Sequence, residues 1–308
     1  MIRYVVKRLV LMFVTLFVII SITFFISKLL PGTPFADDKL TPETREVLFE
    51  KYGLDEPLYV QYAKYMLNVV QGDLGNSFYF ESRPVLQVIL DGAPASAFIG
   101  VQAVIFGLVI GLVLGIVSAL RHNSVWDTLA VVIAVLGVSV PSFVLGPILQ
   151  YWLAVRFQIF PVAFFDSWLH SVLPSLALSV FVISTVARFV RSEMLEVLGQ
   201  DYITLARSKG LTGLAVIIRH VLRNAMIPLV TVLAPLTVYL ITGSLVIEII
   251  FAVPGIGEQF VSSIRVNDYS MILGTTVFLS VLFIIALLIQ DILYGIIDPR
   301  IRVSGARG

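Results

Sequence analysis

Cysteine is absent from this 308-residue chain, which excludes disulfides, cysteine-ligated zinc, thiolate nucleophiles and iron–sulfur clusters. Charge is scarce too. Only 13% of the residues are charged and 58% are hydrophobic, with a mean hydropathy of +0.97, whereas a soluble domain carries about a quarter charged residues. A large core does not explain that deficit, because a soluble protein still needs a polar surface. A soluble fold is therefore excluded. No G-x-x-x-x-G-K-[ST] phosphate loop occurs, so the chain has no device of its own for hydrolysing ATP. Nor does the sequence group Ser, His and Asp, or pair carboxylates, in a way that supports catalysis.

What the chain has is apolar length. Six segments are long enough to span a bilayer, roughly 9–30, 96–120, 128–153, 171–190, 227–252 and 271–296. The fourth is the weakest, interrupted by Pro174 and several Ser and Thr, which membrane helices tolerate. The first run is too long for a signal-peptide core, and no A-x-A pattern closes it, so it reads as a retained helix. Net charge is only +1, and the placement of the bases is what informs. Arg3, Lys7 and Arg8, then Arg121, then the six bases from Arg188 to Arg223, then Arg300, Arg302 and Arg307 alternate in side with Arg156 and Arg265. The richer side is cytoplasmic, giving an N-in, C-in topology. His122, His170 and His220 then fall on two membrane faces and make no common metal site.

The expectation is an all-α integral membrane protein with six transmembrane helices and a small exterior subdomain between the first two. Its parts are an N-terminal helix (1–30), an extracytoplasmic subdomain (31–95), a five-helix core (96–300) with a cytoplasmic loop at 191–226, and a tail (301–308). In the exterior segment Thr41 caps a helix that Pro42 opens. Tyr59, Tyr62, Met66 and Val69 or Val70 recur at helical spacing, and Gly72-Asp73 and Gly75-Asn76 signal turns.

In the cytoplasmic loop Asp201 caps a short helix, Tyr202 to Lys209, ended by Gly210. A second helix follows from Thr212, with Leu214, Ile217 or Ile218, Val221 and Ala225 on one face and Arg219 and Arg223 on another. This is a helix–Gly–helix elbow with one side for the bundle and one for the cytoplasm. By composition alone, docking of a partner and an idle basic loop beside lipid head groups are equally good readings.

The run Asp201-Tyr202-Ile203-Thr204-Leu205-Ala206-Arg207-Ser208-Lys209-Gly210-Leu211, with Arg219-His220 and Leu222-Arg223-Asn224-Ala225-Met226-Ile227-Pro228, resembles the coupling loop of bacterial ABC importer permeases. Gly53-Leu54-Asp55, Gly72-Asp73-Leu74-Gly75, Ser139-Val140-Pro141-Ser142-Phe143, Pro254-Gly255-Ile256-Gly257 and Asp298-Pro299-Arg300-Ile301-Arg302 are similar, in order, to the dipeptide, oligopeptide and nickel branch of that family. The chain most resembles its oligopeptide B-type subunits. Departures are Thr204, where the general pattern often has Glu, the entry Asp91-Gly92-Ala93-Pro94-Ala95, and Ala234-Pro235 in the fifth span.

The resemblance implies the type I importer permease fold in a bacterial cell membrane. It implies a homologous second permease, two cytoplasmic ATPases that bind ATP and magnesium, and an extracytoplasmic peptide-binding protein, with no cofactor in this chain and no nucleic acid partner. It makes Asp201, Tyr202, Ala206, Arg207, Lys209 and Gly210 the ATPase contact, with Tyr202 and Ala206 packing and Arg207 and Lys209 meeting acidic or carbonyl groups. The implied cargo is oligopeptide, with dipeptide, glutathione or nickel as alternatives. An ion-coupled secondary transporter fits less well, because the apolar runs hold almost no ionisable residues near the midplane.

Glu248, near the outer end of the fifth span, faces a water-filled vestibule or else snorkels to the interface. Pro141, on the translocation path, and Pro174 kink spans three and four. Pro254 and Gly255 lie in a tight exterior turn, either a plain loop or a contact for the binding protein. Asp291 either pairs with a base such as Arg300 or is simply solvated.

Overall fold

The computed structural model describes residues 2–35, 41–80 and 82–297, with the side chains of 2–7, 9, 227, 230, 231 and 290–297 outside that description. Asp291, Arg300 and the tail 301–308 therefore lie outside the described side chains. The elements run α1 (Ile2–Ser27), α2 (Pro42–Lys51), α3 (Leu58–Val70), α4 (Val85–Leu120), α5 (Val125–Ser139) and α6 (Ser142–Leu149), which a π-helical turn, Gln150–Arg156, extends. They continue with α7 (Trp168–Leu198), α8 (Asp201–Ser208), α9 (Gly213–Val216), a π-helical turn (Ile217–Leu222), α10 (Arg223–Ile241), α11 (Leu245–Phe251), α12 (Ile256–Arg265) and α13 (Tyr269–Ile297). One isolated bridge, Asn76 with Pro84, is the β structure among the described residues.

By length and apolar composition α1, α4, α7 and α13 each suffice to cross a membrane, and counting two bent pairs as one span each brings the number to six. The third span breaks between Ser139 and Ser142 and turns by 104°, with Pro141 at the N-cap of α6. The proline removes a donor and biases Val140 away from helical backbone, as its ψ of 114° shows. The fifth span bends by 46° between α10 and α11.

Two expectations need correction. The helix that carries the second span does not begin at 96: α4 starts at Val85 and runs 36 residues through Pro94. At 1.5 Å per residue that is roughly 54 Å, well beyond a ~30 Å hydrocarbon core. Pro94 lies inside the helix and does not end it. The fourth span, weakest by sequence, is the continuous 31-residue α7, which Pro174 does not interrupt. Its most apolar stretch is 61% buried, against 17–33% for the other three continuous spans. Ser171, Ser175, Ser179 and Ser184 are fully buried on it. The polar residues that dilute its hydropathy are thus inward-facing, where small side chains allow close approach.

The chain divides into two compact units, 1–94 with 254–284 and 95–253 with 285–308. In the first, Asp268 organises the chain. It accepts from the Met271 amide at 3.1 Å, capping α13, and from the Phe78 and Tyr79 amides at 3.0 and 3.2 Å and the Ser77 hydroxyl. Thr41 caps α2 by accepting from Thr44 at 3.2 Å. Asp73 closes its turn on the Gly75 amide at 2.8 Å. Lys28 donates to Gln61 at 2.7 Å and lies over the Tyr269 ring. Tyr65, in α3, buries a hydroxyl without a hydrogen-bond partner, and burial pushes its phenol up from the usual range.

In the second unit α7 is the central post. Gly107, Gly111 and Gly115 on α4 meet Val182, Val186 and Val190 on α7: a Cβ on these glycines would lie 2.3, 2.7 and 2.8 Å from the valine Cβ atoms. Only glycine permits that spacing of the helices. Gly146 on α6 sits less tightly against α11, where a Cβ would lie 3.3 Å from the Ile247 and Phe251 side chains.

A candidate coupling elbow between the fourth and fifth spans

The loop that follows α7 folds as two short helices around Gly210. Asp201 is the first residue of α8, not its cap; Gln200 occupies the cap position without a side-chain bond. An acid in the first turn still favours the helix through its dipole. The C-terminal end is a Schellman closure, in which the Leu211 amide donates to the Ala206 carbonyl at 3.4 Å and the Gly210 amide to the Arg207 carbonyl at 2.9 Å. It requires left-handed backbone at Gly210, whose φ is +82°. Thr212 then caps α9 by accepting from Ala215 at 3.4 Å.

One side of the elbow is sealed into its own bundle. Ile203, Ala206, Val216, Val221 and Ala225 are buried in one cluster with Val190 and Met194 of α7. Ala206, expected to pack against a partner, is only 6% exposed and is occupied within the chain. In the second helix Val221 and Ala225 are buried and Ile217 packs against the same cluster as expected, but Leu214 and Ile218 are 69% and 55% exposed, and Val216 is buried instead. The cause is the π-helical turn Ile217–Leu222. It inserts five-residue spacing between Val216 and Val221, so a 3.6-residue period projected backwards from Val221 selects the wrong side chains.

The other side is exposed. Tyr202, Leu205, Leu211, Leu214 and Ile218 present apolar surface there, and Arg207, Lys209, Arg219 and Arg223 add exposed positive charge. Asn224 locks the arrangement by donating to the Tyr202 hydroxyl at 3.2 Å and to the His220 carbonyl at 2.8 Å. Leu205, Leu211 and Asn224 were not legible as site residues. Periodicity marks apolar residues as interior, so an exposed leucine at an elbow looks like core.

The remaining candidates lie elsewhere. Glu248 is fully buried, so it neither faces a vestibule nor snorkels. Its carboxylate accepts from the Ser96 hydroxyl at 2.9 Å and the Ser244 amide at 3.1 Å, while Ser244 caps α11 at the Ile247 amide. A membrane-buried carboxylate needs such partners, and here it holds the break in the fifth span. Pro141 is exposed at the break in the third. Pro254 is exposed, but Gly255 is buried as the N-cap of α12, with Ile256 and Gly257 inside that helix. The expected tight turn is therefore a helix start.

An all-helical chain with broken spans and a projecting helix–glycine–helix elbow has the form of a transporter permease. The chain belongs to the binding-protein-dependent transport system inner membrane component family, which residues 111–303 match, and residues 1–99 match the N-terminal membrane-component family of the same systems. It is 43% identical over 303 residues to the dipeptide transport system permease protein of Lactococcus lactis subsp. cremoris, covering 98% of this chain and all of the relative. Identity is 44% with the dipeptide permease of Bacillus subtilis (98% and 99% covered) and 38% with the oligopeptide transport system permease of Haemophilus influenzae (98% and 100%). A chain in the crystal structure of an amino acid ABC transporter with histidines superposes with a TM-score of 0.52 at 15% identity, over 70% of this chain and 94% of that one. That likeness speaks for the fold alone. The chain is a multi-pass inner-membrane permease subunit.

Proposed function

We propose that the chain forms half of the translocation pathway of an ATP-driven peptide importer. It works beside a homologous second permease, with two cytoplasmic ATPases and an extracytoplasmic binding protein. The observation that carries this reading is the Gly210 elbow, whose inner face is fixed in the bundle while its outer face offers exposed leucines and arginines. Such a surface suits a groove on a cytoplasmic protein better than lipid head groups, because apolar side chains are flanked by bases around a rigid turn. The ATPase contact is then Tyr202, Arg207, Lys209 and Gly210 with Leu205 and Leu214, and ATP and magnesium stay with the ATPases. Peptide cargo follows from full-length relatives named for dipeptide and oligopeptide transport. Pro141 is retained as a path residue and Pro254 as a contact for the binding protein.

The test is purification of the tagged chain from its native membrane, followed by uptake assays with labelled di-, tetra- and octapeptides and with nickel in a strain lacking it. Co-purification of an ATPase with peptide uptake is expected. A purified chain without an ATPase, or uptake of nickel alone, overturns the reading.

A further inference from the structure

A carboxylate tied to the helix that leads into the elbow has no part in the reading above. Asp127, in the first turn of α5, is 5% exposed. Arg191 of α7 grips it with both arms of its guanidinium, Nε to Oδ1 at 2.7 Å and Nη2 to Oδ2 at 3.0 Å. The Ser118 hydroxyl near the end of α4 donates to Oδ1, the Asn123 amide donates to Oδ2 at 3.0 Å, and His122 Nδ1 stands 3.1 Å from Oδ2. His122 Nδ1 is also 3.2 Å from Arg191 Nη2. One side chain thus gathers the last turns of α4, the 121–124 connection, the start of α5 and the inner end of α7. Beyond Arg191 the same α7 leads straight into α8.

We propose that the Arg191–Asp127 pair is the positioning brace through which movement of the elbow reaches α4 and α5. The inference rests on the transporter reading. Force applied at α8 enters the bundle at the end of α7, and the polar tie there from α7 to the other helices is this fork. A two-pronged guanidinium–carboxylate bond fixes orientation as well as distance, which a lysine ammonium does not. Hydrophobic contact between α5 and α7 would hold the helices together without it, so the pair is suited to transmitting rotation.

The experiment uses the full transporter, with ATPases and binding protein, in proteoliposomes. It measures peptide moved per ATP hydrolysed for wild type, Arg191→Lys, Asp127→Asn, the double variant Asp127→Asn/Arg191→Gln, and the exchange Asp127→Arg/Arg191→Asp. The first three variants should assemble and hydrolyse ATP while losing about tenfold in peptide per ATP, within the range that severed couplings produce. The exchange should recover part of that loss. A single variant that strands a buried charge and fails to assemble passes the decision to the double variant, which leaves no charge stranded. If the double variant keeps the wild-type ratio, or if losses appear only as less assembled complex at an unchanged ratio, the brace is overturned. A wild-type complex with no peptide-dependent ATPase activity would instead refute the transporter reading.

Discussion

At the scale of single residues, Gly210 and Glu248 carry the sharpest consequences. Left-handed backbone costs a side chain about 1–2 kcal/mol, so Gly210→Ala should weaken the elbow and lower uptake partially. Gly210→Pro cannot reach a φ of +82° and loses the amide that closes the turn. It should abolish peptide uptake with the membrane level of the chain unchanged. Wild-type uptake by the proline variant would refute the elbow's role. Glu248 makes a structural prediction. Glu248→Gln keeps an oxygen for Ser96 and Ser244 and should preserve stability and cargo choice. Glu248→Ala leaves those donors unpaired and should destabilise by about 1–3 kcal/mol, read as a lower melting temperature in detergent. The sequence marks Glu248 as unusual because a carboxylate in an apolar run is expensive. It does not show that Ser96, distant in sequence, answers it.

At the scale of elements, the sequence was most legible where local chemistry decides and least where packing does. Thr41 with Pro42, and Thr212 after Gly210, announce helix starts by themselves, and the structure has both. The continuity of α7 was hidden, because hydropathy falls wherever serine faces inward, and burial of those serines is a property of the neighbours. The first turn of the elbow's second helix, where Val216 rather than Leu214 is buried, was hidden for a different reason: a π-helical turn leaves no signature in a 3.6-residue period. The glycine stripe on α4 is visible in the sequence as Gly107, Gly111 and Gly115, but only the fold shows the valines opposite. Gly111→Val should overpack that seam and cost about 1–3 kcal/mol or more, whereas Gly213→Ala, with open space around it, should not. Thermal melting of the two variants side by side checks this, and equal melting temperatures would contradict the seam.

At the scale of the whole molecule, the apolar spans were legible because lipid imposes a length rule on every stretch of chain, and the family was legible because its motifs recur in order. Which stretches bend was not, since the 104° and 46° breaks depend on what neighbouring helices tolerate. Cargo is least legible of all, because on the proposed reading half of the pathway belongs to another subunit. Uptake of labelled di- and octapeptides by a strain carrying this chain beside a relative's partner subunits should show a cargo range that follows the binding protein supplied; a range that follows this chain would locate selectivity here. The elbow has one more consequence for assembly. Its turn, its cap and the Tyr202–Asn224 bond are all supplied from within the chain. On the proposed reading, a partner therefore meets a surface already ordered and forfeits little ordering entropy on arrival. Its affinity is then set by the exposed side chains, and recognition can diverge by surface substitution without refolding the loop.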